Sequence, residues 1–183
     1  MVKAMKCAAV ILTLLPAALT AADATASDAY LQGAGRMVIS FAETEFALSL
    51  EVPRANIVGF GHAAENEDER AAVAVAISEL SEPLGLFEVS PEAGCMTASA
   101  NVAIVGDAFG QDENQVGAAA MDQTKFHADY LVQCQDIVSV SSIRFAYFDR
   151  FAKAQRLEVE LISAAGTQNY TMERAAPVLT LPN

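Results

Sequence analysis

The sequence has no tryptophan, only two histidines and three cysteines, and 11 lysines and arginines against 23 aspartates and glutamates. Each shortage excludes something. A formal charge of −12 with no basic stripe excludes a nucleic-acid groove binder, because such proteins neutralise phosphates with clustered cations. Three cysteines cannot build a four-thiolate zinc site within one chain, and His62 and His127 are too scattered for a zinc finger of two thiolates and two imidazoles. The motif inventory is equally thin: no Gly-x-Ser-x-Gly elbow, no His-Glu-x-x-His helix, no Gly-x-Gly-x-x-Gly turn and no phosphate-cradling loop. A catalytic triad is assembled in space rather than in sequence, so it is weighed by its ingredients, and two histidines are few. The expectation is a protein that is not an enzyme. The chain does supply 183 residues, 53% of them apolar, enough for one domain with a substantial core.

The first 26 residues stand apart. Lys3 and Lys6 precede an uncharged run from Cys7 to Ala22, and small residues come after it, which is the order of a secretory signal. The run is shorter than the roughly 20 residues of a membrane-spanning helix, and no later stretch approaches that length, so a retained anchor is the lesser reading. Cleavage fits after Ala22-Asp23-Ala24 or Ala24-Thr25-Ala26, the second being preferred, which leaves a single domain over 27–183. The mature chain then keeps 9 basic and 22 acidic residues, a charge of −13. The expected location is the periplasm, with no membrane span after cleavage. Cys7 leaves with the signal. Cys95 and Cys134 remain as an even pair in an oxidising compartment, which predicts a disulfide. A redox dithiol or a thiolate metal pair lacks the Cys-x-x-Cys spacing.

Along the mature chain, Met37, Ile39 and Phe41 alternate before Glu43-Thr44-Glu45, and Phe46, Leu48 and Leu50 alternate after it, the pattern of a hairpin ended by Pro53. Asn66 can cap a helix with Glu69 at the capping-box position, and three acids crowd its positive end. The stripe of Val73, Ala76, Ile77 and Leu80 predicts that helix from about Glu67 to Leu80, stopped by Pro83 and Gly85. Strands are expected over Cys95 to Val105 and Lys125 to Cys134. Paired antiparallel, they set the two cysteines opposite each other, within the roughly 4.4 to 6.8 Å Cα separation that a disulfide takes. The Gly106 to Thr124 segment between them has few large apolar anchors and is expected to be the most mobile internal stretch. Further strands are expected over Ser142 to Phe148, Arg156 to Ser163 and Gln168 to Arg174. The sum is an α+β fold, mainly antiparallel β-sheet of about seven short strands with one principal α-helix covering one face.

The segment Pro53-Arg54-Ala55-Asn56-Ile57-Val58-Gly59-Phe60-Gly61-His62-Ala63 resembles one of the ZrgA-type, zinc-regulated periplasmic family, in which the corresponding words read Pro-Ala-x-Asn-Leu-Val-Gly-Phe-Glu-His-Ala. An acidic helix start, Leu86-Phe87, Ala93-Gly94-Cys95, the Tyr130 to Cys134 word, Leu157 to Ile162 and Gly166-Thr167-Gln168 come next, in the family's order. The resemblance spans most of residues 30 to 181 and implies an accessory role beside zinc-uptake components. It also implies zinc ligands that this chain lacks. A family opening of His-x-His-Gly is here Tyr30-Leu31-Gln32-Gly33, the histidine expected seven residues before Tyr130 is Gln123, the stretch before the second cysteine that the family fills with histidines has none here from Gly106 to Thr124, and the segment's Glu falls on Gly61. Amides and phenols are poor substitutes for imidazole at zinc.

Two histidines and a nearby carboxylate, His62, His127 and Asp129, are the remaining metal candidates, provided that folding brings them together. The plainer reading has His62 bonded to backbone in a turn and His127 pointing outward from a strand. The acids Glu65, Glu67, Asp68 and Glu69 do not follow a calcium-loop spacing and read as helix capping. Phe145, Tyr147, Phe148 and Phe151 read as core rather than as a ligand groove. The expectation is a non-enzymatic periplasmic accessory protein with no resident cofactor and weak zinc binding at most. The alternative is an acidic interaction module that uses its charged surface or an exposed strand edge to engage a partner.

Overall fold

The computed structural model describes residues 33–106 and 124–181. The expected signal segment Met1 to Ala26, the positions Tyr30, Gln32 and Gln123, and nearly all of the Gly106 to Thr124 stretch expected to be mobile lie outside the described residues.

The alternating runs become strands. β1 (Ala34–Phe41) and β2 (Glu45–Pro53) form the hairpin, with Met37 opposite Leu50 and Ile39 opposite Leu48. A short helix, α1 (Arg54–Val58), leaves the end of β2. β4 (Cys95–Val105) pairs antiparallel with β5 (Lys125–Cys134), and β5 pairs antiparallel with β2. β7 (Arg156–Ser163) turns through Ala164 and Ala165 into β8 (Gly166–Glu173). Together they make a six-stranded sheet in the order β4-β5-β2-β1-β7-β8. A second, three-stranded sheet is built from β3 (Phe87–Val89), β6 (Ser142–Phe145) and β9 (Val178–Thr180).

Period two gives the large sheet one apolar and one polar face. Met37, Ile39, Leu48, Leu50, Phe126, Tyr130, Val132, Leu157, Val159 and Leu161 are all buried on the inner side. The cover is the helix α2 (Glu67–Leu80), contributing Ala76 and Leu80, the single turn α3 (Pro83–Leu86), contributing Leu86, and the small sheet, contributing Phe87, Ile143, Phe145 and Leu179 to the same core. Val73 and Ile77 are half-buried against that core. Asn66 caps α2 by accepting the Glu69 N–H at 2.9 Å, and the Glu69 carboxylate reaches back to the Glu65 N–H at 2.8 Å. The box therefore closes one residue earlier than its usual form, in which the carboxylate bonds the cap residue's own N–H.

Three features differ from the sequence reading. The described residues form nine strands rather than about seven, because β3 and β9 are three residues each and too short to display alternation. The main sheet is mixed: β1 runs parallel to β7, with Met37 beside Val159. Parallel neighbours need a long crossover, here the whole chain between Phe41 and Arg156. The strand expected to reach Phe148 stops at Phe145, and Tyr147–Arg150 forms a helical turn, α4. Continued alternation would send Tyr147 and Phe148 to opposite faces, one of them toward water. The turn instead buries Tyr147, Phe148 and Phe151 together. Arg174 fixes it by donating to the carbonyls of Phe148, Phe151 and Ala154, with its guanidinium 5.9 Å from the Phe148 ring centre.

Gly35 shows how tightly the central strands pack. A Cβ there would sit 2.4 Å from Val52 Cγ1 and 2.8 Å from Leu157 Cδ2, so only glycine lets β1 fit between these side chains.

Candidate functional site

Pro53 ends β2, and the chain turns into α1, closed by Gly59 at φ 89°. Two polar side chains of this turn are buried, and their bonds anchor the loop that carries His62. Asn56 donates to the Ala34 carbonyl at 2.8 Å and accepts the Gly33 N–H at 3.1 Å, tying α1 to the start of β1. Arg54 donates through Nη1 to the His62 carbonyl at 2.8 Å, and its backbone N–H bonds the Thr124 carbonyl at 2.9 Å. An isolated arginine in a loop reads as a surface residue, and no periodicity marks this one as buried. The word that carries the family resemblance is thus a clamp that presents His62 beside the α2 N-terminus.

His62 stacks on Phe60 with ring centres 5.1 Å apart. Its Nδ1 lies 2.9 Å from the Ala63 carbonyl, an acceptor, so Nδ1 carries the proton of that bond. Glu65 and Glu69 approach the same nitrogen at 4.0 and 3.9 Å. The Glu69 carboxyl is held below its ordinary range, chiefly by the Glu65 N–H and also by the nearby His62.

His127 lies on the polar, uncovered face of the large sheet. One row of residues crosses that face from strand to strand: Ala103, His127, Glu51, Arg36, Glu158 and Thr171. The next row reads Asn101, Asp129, Ser49, Val38, Glu160 and Asn169. His127 Nε2 donates to Asp129 Oδ2 at 2.8 Å, while Nδ1 faces Glu51 Oε1 at 3.5 Å. Glu51 also accepts from Lys125 Nζ at 2.8 Å, and that bond is the main reason its carboxyl titrates below the usual value. Arg36 pairs with Glu160 at 3.2 Å, and Thr171 donates to Glu158 at 2.9 Å. The face is therefore a lattice of compensated charges.

Folding brings His127 and Asp129 together and gives His62 the partners Glu65 and Glu69 instead. Among the described residues no three His, Cys, Asp or Glu side chains converge as a metal site. The geometry explains why. The two ring nitrogens of an imidazole point apart, so one ion on Nε2 of His127 cannot also meet Glu51 beside Nδ1. At His62 both carboxylates face the nitrogen already bound to Ala63. The thiolates are spent as well, since Cys95 and Cys134 form a disulfide with their Cα atoms 3.9 Å apart, just under the usual range. Directly opposite residues of antiparallel strands stand about 4.5 to 5.5 Å apart, so this pair is closer than the ladder alone would set it.

A family model described as ZrgA family zinc uptake protein matches residues 29–181. The chain belongs to the ZrgA family. No curated protein matches it. For a ZrgA protein the donor set is meagre: the chain holds only two imidazoles, and the described residues do not fit a zinc ion with the three or four protein ligands that such sites use. The Pro53 to Ala63 word of this ZrgA member serves the fold in the described structure, through Arg54 and Asn56.

Proposed function

We propose that this ZrgA family member is a non-enzymatic accessory protein of zinc uptake, exported to the periplasm, that binds zinc weakly at most. The family supports the connection with zinc uptake, and the N-terminal segment supports export. One observation carries the statement about binding: His62 and His127, the only imidazoles in the chain, each have a ring nitrogen engaged by a different group, and they do not share a site. Carboxylates add attraction, but hard oxygen donors favour calcium or magnesium, which greatly outnumber zinc in most surroundings. The protein acts in this reading through association with metal-uptake components rather than through chemistry on a substrate.

The test is calorimetric titration of the chelator-stripped mature protein with zinc. Weak heat that saturates only well above micromolar zinc is expected. One-to-one binding at micromolar zinc or tighter that disappears in His62→Ala would overturn the weak-binding reading. The second reading, an acidic interaction module without metal, rests on the mature charge of −13 and would be favoured by no heat at all.

A further inference from the structure

The two edges of the large sheet are unlike. β8 is eight residues long and ends at Glu173, where the chain folds back in a bridge to Ala176. Among the described residues β4 is the longest strand, at eleven residues, and it has a strand neighbour on one side only. Its sequence, Cys-Met-Thr-Ala-Ser-Ala-Asn-Val-Ala-Ile-Val, contains no charge and no proline. Natural sheets guard long edges with lysines, prolines or brevity, because a row of unpaired backbone groups is a template for another strand. Here those guards are missing, and only a bulge between Thr97 and Ser99 interrupts the edge near the disulfide end. Beyond the bulge the ladder from Ser99 to Val105 is regular, and the Cys95–Cys134 bond keeps the whole strand docked on β5.

The geometry points to β4 as a self-association edge, pairing antiparallel with β4 of a second copy of this chain. The absence of charge on β4 bears on the occupant: the strand offers a charged partner no ion pair, and Lys125 and Asp129 on the neighbouring β5 offset each other, so with a Debye length of about 8 Å two copies at −13 each meet here with less repulsion than on their acidic surfaces. The side chains are self-complementary too. Ala100, Val102 and Ile104 lean half-buried on the core with their outer flanks open, while Asn101, Ala103 and Val105 face the other way. A two-fold axis through Val102, perpendicular to the sheet, sets Val102 against its own copy, Ala100 against Ile104, Asn101 against Ala103 and Ser99 against Val105. Every pair keeps its face, so the half-buried apolar residues cover one another and the two cores lie on the same side of one doubled sheet. This proposal does not depend on zinc.

Sedimentation velocity of the mature protein from about 1 to about 200 µM tests it, in the affinity range of modest interfaces. The expected result is a dimer whose fraction rises with concentration and, because repulsion is screened, with salt. Ala103→Glu adds like charge at an exposed edge position and should weaken association by about tenfold or more. Asn169→Glu on β8 should leave it nearly unchanged. Val102→Cys should give an oxidised, disulfide-linked dimer, and Asn169→Cys should not. A monomer throughout, or a dimer indifferent to Ala103→Glu with no Val102→Cys cross-link, would overturn the proposal. The monomer result would leave the edge to an extended segment of a different protein.

Discussion

Cys95 and Cys134 stand directly opposite each other in the β4–β5 register, their Cα atoms 3.9 Å apart, and their disulfide ties one end of that strand pair. With the two cysteines 39 positions apart, the closed loop is worth ~4 kcal/mol in the chain-entropy account, a large share of a domain's usual margin. The purified protein should show neither thiol alkylated under non-reducing conditions. The double variant Cys95→Ser with Cys134→Ser should lose about 2–4 kcal/mol by urea unfolding. An unchanged midpoint would mean that the ladder alone holds β4 in place.

Alkaline pH tests the core beneath the small sheet. The hydroxyls of Tyr130 and Tyr147 are driven well above their ordinary value of 10.0, in both cases chiefly by burial. The unfolded chain then loses these protons first, so stability is intact below pH 10 and falls as pH rises beyond it. The slope is about 1.4 kcal/mol per pH unit for each tyrosine. Tyr130 has a second signature: its buried hydroxyl has no hydrogen-bond partner among the described residues. Tyr130→Phe should therefore raise stability at neutral pH by up to about 1 kcal/mol and halve the alkaline slope. Thermal melts between neutral pH and pH 11 would show both effects, and a destabilised variant would contradict the assignment.

Glu51 gives the opposite sign. Its carboxyl is lowered from 4.5, first by the hydrogen bond from Lys125, then by the charges of Lys125 and His127, against the opposing effect of burial. Its contribution is present above the unfolded value and disappears as pH falls through the folded one. The carboxylate is 41% exposed, so screening keeps the effect small. Glu51→Gln should cost about 0.5 kcal/mol at neutral pH, and the difference from the parent should vanish in acid once the folded carboxyl is protonated and shrink in high salt. A deficit that persists in acid would show a packing role instead.

Local pattern made much of this fold legible. The alternation on either side of Glu43-Thr44-Glu45 announced β1 and β2, the spacing of Val73, Ala76, Ile77 and Leu80 announced α2, and Asn66 announced its start. The cysteine pairing came from the same reading of β4 and β5. Nothing local announced that β1 would lie parallel to β7, since such pairing is decided by the packing of segments over 100 residues apart. The buried roles of Arg54 and Asn56 were equally silent, because a polar side chain inside a turn has no period to betray it. Of the candidate site, the nearness of His127 to Asp129 was legible from their separation of two positions on one strand, which puts both on one face. The grouping of His62 with Glu65 and Glu69 depended on how the α1 clamp aims the loop, which spacing alone does not give.

Zinc content is the most direct test of the account. A relative with histidines at the places of Tyr30, Gln32 and Gln123 would have imidazoles that this chain lacks, and His62 alone cannot replace three ligands of a site that normally holds three or four. Elemental analysis of the purified mature protein after gel filtration should therefore return far less than one zinc per chain. A value close to one would contradict the account and would direct mutagenesis first to His62, His127 and Asp129.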